Sequence, residues 1–213
     1  MKCIKILLCL AVIGLSAIVT ANGQTARQVL DKTATNLRNA GGIEANFTAT
    51  TYKGLSPNGA SKGQIYVSGN KFKLSTAAMT TWFNGKTQWS LLAGNSEAYV
   101  STPTEAELQN VNPYTFVNIY RNGYKLVKRS TVYHGKACHE IELIASRANQ
   151  PIIRMLITVD KSTFMPVCIR IKPSKGEWVR LQINGIATGK SWPASFFEFS
   201  KGDHPNVELI DLR

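Results

Sequence analysis

The spacing of the apolar residues changes once along this chain, and that change constrains the fold more than any other feature. From Gln24 to Ala40 the apolar residues recur every three to four positions, which predicts an amphipathic helix that stops at Gly41-Gly42. From Ile43 onward they recur mainly at every second position, the period of a half-buried strand. The chain is therefore predicted to be mainly β, with one long helix at its start (α+β).

About ten antiparallel strands are expected, separated by glycine-containing turns such as Ser56-Pro57-Asn58-Gly59 and Asn84-Gly85-Lys86. Because a pair of helices cannot cover both faces of so wide a sheet, we expect the sheet to curl into a half-open barrel or a strongly curved sheet. The predicted strands are Ile43 to Tyr52, Lys62 to Ser68, Lys71 to Ser75, Thr80 to Asn84, Thr87 to Leu92, Ala98 to Ser101, Tyr124 to Ser130, Lys136 to Ala145, Ile152 to Val159, Met165 to Ile171 and Glu177 to Ala187.

A second helix is predicted in the middle of the chain. Thr104 to Gln109 is acidic and helix-prone, and Asn112-Pro113 offers a cap and a first-turn proline. The residues that follow, among them Phe116, Ile119 and Tyr120, make this second helix apolar, and the helix is expected to interrupt the sheet.

One face of the curled sheet is expected to be concave and apolar, and this pattern fits either a fully packed core or a ligand cavity. The residues predicted on this face are Phe47, Ile65, Val67, Phe72, Leu74, Trp89, Leu91, Val100, Ile141, Leu143 and Leu156. If a cavity is present, its predicted ligand-binding lining is Phe47, Phe72, Leu74, Trp89, Leu91, Ile141 and Leu143.

The N-terminus has the composition of an export signal. Lys2 and Lys5 precede an apolar stretch from Ile6 to Val19, which is shorter than the ~20 residues that span a bilayer. We expect cleavage after Gly23, although cleavage after Ala21 fits almost as well. The predicted organisation is a signal peptide over residues 1–23 and one domain over residues 24–213.

The chain is basic. Removing Lys2 and Lys5 with the signal lowers the formal net charge from +12 to +10. The remaining cations are scattered singly, which is typical of a solvated sheet face, although a basic exported protein is also attracted to anionic membrane surfaces. No nucleic-acid recognition motif is present, so nucleic acid is not an expected partner.

Only Cys138 and Cys168 would remain after export, and an exported pair invites a disulfide. Strand phase places both side chains on the same, outward face. However, the strand Ile152 to Val159 is expected to lie between them, which would hold them ~9–10 Å apart, beyond bridging reach. The sequence therefore favours two free thiols.

No catalytic group, metal site or cofactor site is predicted, and we expect no enzyme activity. His139 follows Cys138 directly, but successive strand residues point to opposite faces, so the two cannot form a dyad. His204 lies in a predicted turn without a nucleophile near it, and Ser68 precedes a hairpin turn rather than a helix. The carboxylates show no metal-ligand spacing.

The order of these elements resembles the LolA-type outer-membrane lipoprotein carriers of the bacterial periplasm. The likeness runs from the N-terminal helix through Gly42 to Thr48, the tryptophan-bearing hairpin Trp82 to Trp89 and Asn112-Pro113, to the closing segment Ile157 to Phe199. Asn112-Pro113 opens a segment that resembles the lid helix of these carriers, which implies Phe116, Ile119 and Tyr120 as the lid face here. The carriers have an arginine near the start of the second sheet segment that latches this lid. The corresponding stretch here is Ser68-Gly69-Asn70, so a lid latched by that arginine is not implied.

The resemblance implies a half-open antiparallel barrel whose apolar cavity takes up the acyl chains of lipoproteins, or other amphiphilic lipids, in the periplasm. It implies a monomer with transient membrane contact and an inner-membrane release complex as a partner. The alternative of another class is a periplasmic sensor or regulator of the same fold that binds a lipidated or protein signalling partner. A hydrolase that acts on an exported substrate is a further alternative, tested by replacing Ser68, His139 and His204 singly.

Overall fold

The computed structural model describes residues 24–104, 107–108 and 119–213. The predicted signal peptide and Phe116 of the predicted lid face lie outside these residues. Within them the chain forms one α-helix, twelve strands and two short 3₁₀ helices, Ile119–Arg121 and Ala194–Phe197. The helix is α1, Ala26–Asn39. The strands are β1 Gly42–Lys53, β2 Ser56–Ser68, β3 Lys71–Thr76, β4 Met79–Phe83, β5 Gln88–Leu92, β6 Glu97–Ser101, β7 Tyr124–Tyr133, β8 Lys136–Ala145, β9 Ile152–Asp160, β10 Pro166–Pro173, β11 Val179–Lys190 and β12 Glu208–Asp211.

All twelve strands belong to one sheet, in the order β12-β6-β5-β4-β3-β2-β1-β11-β10-β9-β8-β7. Every neighbouring pair is antiparallel except β12 and β6, which run parallel. The sheet does not close into a barrel, because β12 and β7 remain at its two edges. The prediction of a mainly β fold with a curved sheet is confirmed in this open form. The described residues do not show the predicted mid-chain lid helix.

Helix α1 begins with a capping box. The hydroxyl of Thr25 accepts a hydrogen bond from the backbone N–H of Gln28 (3.2 Å), and the Gln28 side chain accepts one from the backbone N–H of Thr25 (2.8 Å). These two bonds satisfy donors that would otherwise be unpaired at the start of the helix. The buried stripe of α1 includes Val29, Leu30 and Leu37, as the spacing of the sequence predicts.

We call the sheet face that contacts α1 the inner face, and the opposite one the outer face. Three clusters of buried residues pack on the inner face, and the smallest consists of Ala34, Leu37 and Ile43. The helix cluster consists of Val29, Leu30, Tyr120, Ile141, Leu143, Ile152, Met155, Ile157, Val159, Phe164 and Ile169. The hairpin cluster consists of Ala45, Ile65, Val67, Phe72 and Phe83. Central strand β1 joins the two halves of the sheet by pairing with β2 on one side and β11 on the other.

The outer face carries polar networks and the C-terminal segment. Glu142 is buried between the guanidinium groups of Arg129 (3.0 Å) and Arg154 (2.7 Å). Aromatic residues that follow β11 cover the other half of this face, where the ring of Phe199 lies 5.6 Å from that of Trp82. The C-terminal segment therefore buries an apolar part of the outer face.

The first hairpin differs from its prediction. Lys53 pairs with Ser56, so the turn consists of Gly54 and Leu55, and the predicted turn Ser56–Gly59 belongs to β2 instead. Gly54 has φ +62°, and glycine at the first central position is typical of a two-residue type II′ turn. Pro57 is compatible with this stretch of β2 because the stretch has no partner on its other side.

Candidate functional site

An apolar cavity lies between α1 and the inner face of the sheet, with a volume of about 500 Å³. This is within the ~300–1,000 Å³ range of small-molecule sites. Strands from both halves of the sheet line the same cavity, as a curved sheet allows. The lining residues are Leu30, Thr33, Leu37, Ile43, Ala45, Phe47, Ile65, Val67, Leu74, Thr76, Met79, Pro151, Ile152, Ile157, Pro166, Ile169, Ile171, Pro173, Val179, Leu181, Ile183 and Ile186.

The lining is apolar because alternate residues of neighbouring strands share a face. Ile169 of β10 pairs with Leu181 of β11 on one side and with Ile157 of β9 on the other. Residues directly opposite each other point the same way, so these three side chains form one continuous strip of wall. The next aligned pair along the strands, Ile171 and Val179, extends the strip.

The two hydroxyl groups in the lining already have partners. Thr33 donates its hydroxyl hydrogen to the carbonyl oxygen of Val29 one turn earlier in α1 (3.0 Å). Thr76 donates to the carbonyl oxygen of Met79 (3.2 Å). The remaining lining side chains of the described chain are apolar. The cavity therefore offers apolar surface and suits a hydrocarbon chain better than a polar ligand.

Five of the predicted lining residues lie on the inner face, and they divide into two groups. Phe47 and Leu74 line the cavity directly. Phe72, Ile141 and Leu143 are fully buried beside it, Phe72 in the hairpin cluster and the other two in the helix cluster. These three side chains pack in the same clusters as lining residues such as Ile157 and Ile65.

Trp89 and Leu91 lie on the outer face, so the predicted phase of β5 is wrong by one residue. Trp89 pairs directly with Trp82, whose ring contacts the C-terminal segment. The inner position of this strand belongs to Ser90, whose hydroxyl lies 3.5 Å from that of Thr81. Alternation predicted the wrong face because the C-terminal segment makes the outer face apolar here as well.

Val100 and Leu156 also face outward instead of inward. Val100 pairs with Trp89, and Leu156 pairs with Glu142 of the outer ion-pair network. Val100 is 4% exposed because it belongs to the half of the sheet that the C-terminal segment covers. Burial alone therefore does not identify the inner face.

Two residues of the predicted lid face have described positions. Tyr120 is fully buried in the helix cluster, where its hydroxyl donates a hydrogen bond to Asp31 of α1. Ile119 packs against the same cluster. Burial and this hydrogen bond raise the pKa of Tyr120 to about 12. This end of the predicted lid is thus fixed against α1.

The segment before the predicted lid is also anchored. Thr104 and Glu107 form a capping box, in which the Glu107 carboxylate accepts from the backbone N–H of Thr104 and Thr104 Oγ1 accepts from the backbone N–H of Glu107. Residues 107–108 are helical, and Leu108 packs against the hairpin cluster together with Phe47 and Leu74. Apolar contacts from residue 108 therefore reach the rim of the cavity.

Sequence reasoning missed much of the wall formed by β9, β10 and β11. Alternation predicts that Ile169 and Ile171 face inward, but the predicted lining does not include them. Leu30 and Leu37 are predicted only as part of the buried stripe of α1. Both signals are present in the sequence, but only the fold shows that the helix and these strands enclose the same space.

The histidines and cysteines form no catalytic arrangement among the described residues. His139 lies on the inner face with its ring 6.1 Å from that of Phe164, and burial lowers its pKa. His204 stacks on Phe199 (5.1 Å). Cys138 and Cys168 are both free, as expected from the strand between them, and both are buried, which the sequence did not predict. The described parts of the chain hold no group of three or more potential metal ligands.

Comparison with known proteins identifies the family. A family model described as "Outer membrane lipoprotein carrier protein LolA" matches residues 15–175, about three quarters of the chain. The protein belongs to this LolA family. No curated protein matches the LolA-family chain. The described residues contain no helix with the length and apolar character of a membrane span.

Several solved structures are similar to this LolA-family protein at low sequence identity. An uncharacterized conserved protein from Thermus thermophilus is 12% identical, with a TM-score of 0.61 over 88% of this chain and 99% of that chain. A LolA superfamily protein from Nitrosomonas europaea is 13% identical, with a TM-score of 0.44 over 83% and 99% of the two chains. A putative outer membrane lipoprotein-sorting protein domain from Vibrio parahaemolyticus is 10% identical, with a TM-score of 0.45 over 81% and 96%.

Proposed function

We propose that this protein is a periplasmic carrier that binds the acyl chains of lipoproteins, or of related lipids, in the apolar cavity and shuttles them toward the outer membrane. The observation that carries the proposal is the lining. Among the described residues, 20 of the 22 that line the cavity have apolar side chains, and the hydroxyls of the other two are already hydrogen-bonded.

The energetics favour this cargo. Each methylene group of an acyl chain costs about 0.8 kcal/mol in water, so a shuttle must offer apolar surface of comparable worth. The strip formed by Ile157, Ile169 and Leu181 offers such surface, and Phe47 and Leu74 provide it on the opposite half of the sheet. We therefore assign Phe47 and Leu74 to cargo binding, with Phe72, Ile141 and Leu143 as their support.

The proposal also covers the export of the protein, its oligomeric state and the source of its cargo. Residues 1–23 act as a cleaved signal peptide, residues 24–213 act as a monomeric carrier domain, and an inner-membrane release complex supplies the cargo. Family membership supports these assignments. No enzyme activity is part of the proposal.

Native mass spectrometry of the protein purified from the periplasm tests the proposal. We expect a population whose mass exceeds that of the chain by one amphiphile, which is released on activation and identified as an acylated species by fragmentation. A stable complex with another protein and no lipid would instead support the regulator alternative. If no amphiphile co-purifies and a fluorescent fatty acid does not enter the purified protein, the carrier proposal is wrong.

A further inference from the structure

The β1–β2 hairpin projects beyond the rest of the sheet. The last residue of β3 that pairs with β2 is Thr76, opposite Gly63, whereas β2 begins at Ser56. At about 3.3 Å per residue, the stretch from Ser56 to Lys62 extends roughly 20 Å, and no strand of the described residues pairs with it on the side away from β1. On the other side, pairing of β1 with β11 ends at Thr51, before the tip.

A leucine occupies the tip of this hairpin. Leu55 is the second residue of the two-residue turn and is 98% exposed, the highest exposure among the large hydrophobic residues of the described chain. An isolated exposed leucine needs no explanation, but a turn normally carries polar residues. Leu55 is thus an exposed apolar residue at a position where polar residues are the norm.

The cavity lining reaches the end of the sheet at which the tip lies, as well as the opposite end. Thr76 at the end of β3, Met79 at the start of β4 and Val179 at the start of β11 all line the cavity at the end where the tip lies. Leu92 lies opposite Met79 in the next strand and is 43% exposed. Apolar surface is thus exposed both at the hairpin tip and beside the adjacent end of the cavity.

The hairpin itself is positively charged. From Ala45 to Ser68 it carries two lysines, Lys53 and Lys62, and no carboxylate. Lys53 directly precedes the turn and is exposed, and Lys175 and Arg147 are exposed in loops at this end of the sheet. A tip with an exposed leucine next to unpaired lysine charge is complementary to a bilayer with anionic headgroups.

We propose that the tip of the β1–β2 hairpin is a membrane contact, in which Leu55 enters the interface of an anionic bilayer and Lys53 faces its phosphate groups. The contact holds this end of the sheet, where Thr76, Met79 and Val179 line the cavity, against the lipid surface. Its role in lipid transfer rests on the proposed function, but the contact itself is measured separately.

Flotation with lipid vesicles tests the inference. The purified protein is expected to float with vesicles of phosphatidylglycerol and phosphatidylcholine in equal parts, and much less with phosphatidylcholine alone or at high salt. Leu55→Ser should weaken binding to the anionic vesicles about tenfold, the minimum expected from losing one buried leucine. Lys53→Gln should weaken binding to the anionic vesicles less, and should reduce only the part of the binding that high salt removes.

Val132→Ser is the matched control, because Val132 is 71% exposed but lies beside the β7–β8 turn at the opposite end of the sheet. It should float like the unchanged protein. In addition, Leu55→Trp should show a blue shift of tryptophan emission on the anionic vesicles relative to its emission in buffer. Equal flotation of Leu55→Ser and Val132→Ser, or no flotation of the unchanged protein, overturns the inference.

Fatty acid binding in solution separates this inference from the proposed function. Leu55→Ser should bind a fluorescent fatty acid as the unchanged protein does. If it loses that binding together with vesicle binding, the residue supports the cavity instead of the membrane contact, and the inference is wrong. If no variant binds the fatty acid while flotation still depends on Leu55, the membrane contact stands and the carrier function falls.

Discussion

The hydroxyl of Tyr120 donates a hydrogen bond to Asp31, and this bond connects the short 3₁₀ helix Ile119–Arg121, at the end of the predicted lid, to helix α1. The tyrosine side chain is fully buried, and Arg27 lies 5.8 Å from the centre of its ring. Asp31 and Arg27 are one turn apart on α1. The pair therefore fixes residues 119–121 against the helix that forms one wall of the cavity.

This hydrogen bond predicts a loss of stability at alkaline pH. Because the pKa of Tyr120 is raised to about 12 from an ordinary value of 10, its contribution is complete below pH 10 and is lost as the pH rises toward 12. Tyr120→Phe should cost about 1–3 kcal/mol at pH 8, where the hydrogen bond to a carboxylate is missing. Urea unfolding of both proteins at pH 8 and pH 11 measures the effect.

The comparison must be made with the Phe variant as the reference, since the pKa of Tyr133 is also raised to about 12, mainly by burial. Subtracting the free energy of unfolding of one protein from that of the other at each pH removes the contribution of Tyr133. If the difference in the free energy of unfolding between them is the same at both pH values, the ionisation of Tyr120 is not coupled to folding.

The two faces of the sheet predict opposite results for a matched pair of leucine substitutions. Leu74 lines the cavity, whereas Leu91 is partly buried on the outer face. Leu74→Gln places an amide in the lining and should weaken binding of a fluorescent fatty acid about tenfold or more. Leu91→Gln should leave the dissociation constant unchanged. Similar losses in both variants would mean that binding does not take place in the cavity.

Gly63 predicts a packing effect next to the cavity. A Cβ atom at this position would lie 2.3 Å from Cζ of Phe47, so Gly63→Ala forces the phenyl ring to move. We expect a loss of about 1–3 kcal/mol in the free energy of unfolding. Gly185→Ala is the control, because nothing lies within 4 Å of its Cβ position. Chemical unfolding of the two variants should give clearly different midpoints, and equal midpoints would refute the contact.

The two buried cysteines are expected to react slowly with alkylating reagents. Burial raises the pKa of both Cys138 and Cys168, which lowers the thiolate fraction near pH 8. Alkylation at pH 8, read by peptide mass spectrometry, should be slow in the folded protein and rapid in urea. Dithiothreitol should leave the melting temperature unchanged, since neither cysteine is bridged. A melting temperature that falls on reduction would show that a disulfide forms.

Period and turn signals predicted the helix and most of the strands because they are local. Lys136–Ala145 was predicted with its observed bounds, and α1 differs from its prediction by one or two residues at each end. The phase of β5 could not be predicted in the same way. Trp89 looks like a core residue in sequence, but it lies half-buried on the outer face opposite Trp82, whose ring contacts Phe199 of the C-terminal segment, more than 100 residues later.

The position of the first hairpin turn was predicted wrongly for a different reason. Ser56-Pro57-Asn58-Gly59 has strong turn composition, yet Gly54 allows a tighter turn, and β2 runs through the polar stretch paired with β1. The pairing of Tyr52 with Pro57 extends the hairpin and leaves Leu55 at its end. Turn composition therefore did not locate the turn here, and the projecting hairpin became visible only in the fold.

The most direct test of the central claim is the dependence of binding on chain length. Saturated fatty acids of increasing length are used to displace a fluorescent fatty acid from the purified protein, with Leu74→Gln measured in parallel. If the apolar cavity holds the acyl chain, affinity should rise steeply, by up to about fourfold per methylene group at ~0.8 kcal/mol each, until the cavity is full. An affinity that does not depend on chain length, or that Leu74→Gln does not weaken, would contradict the account.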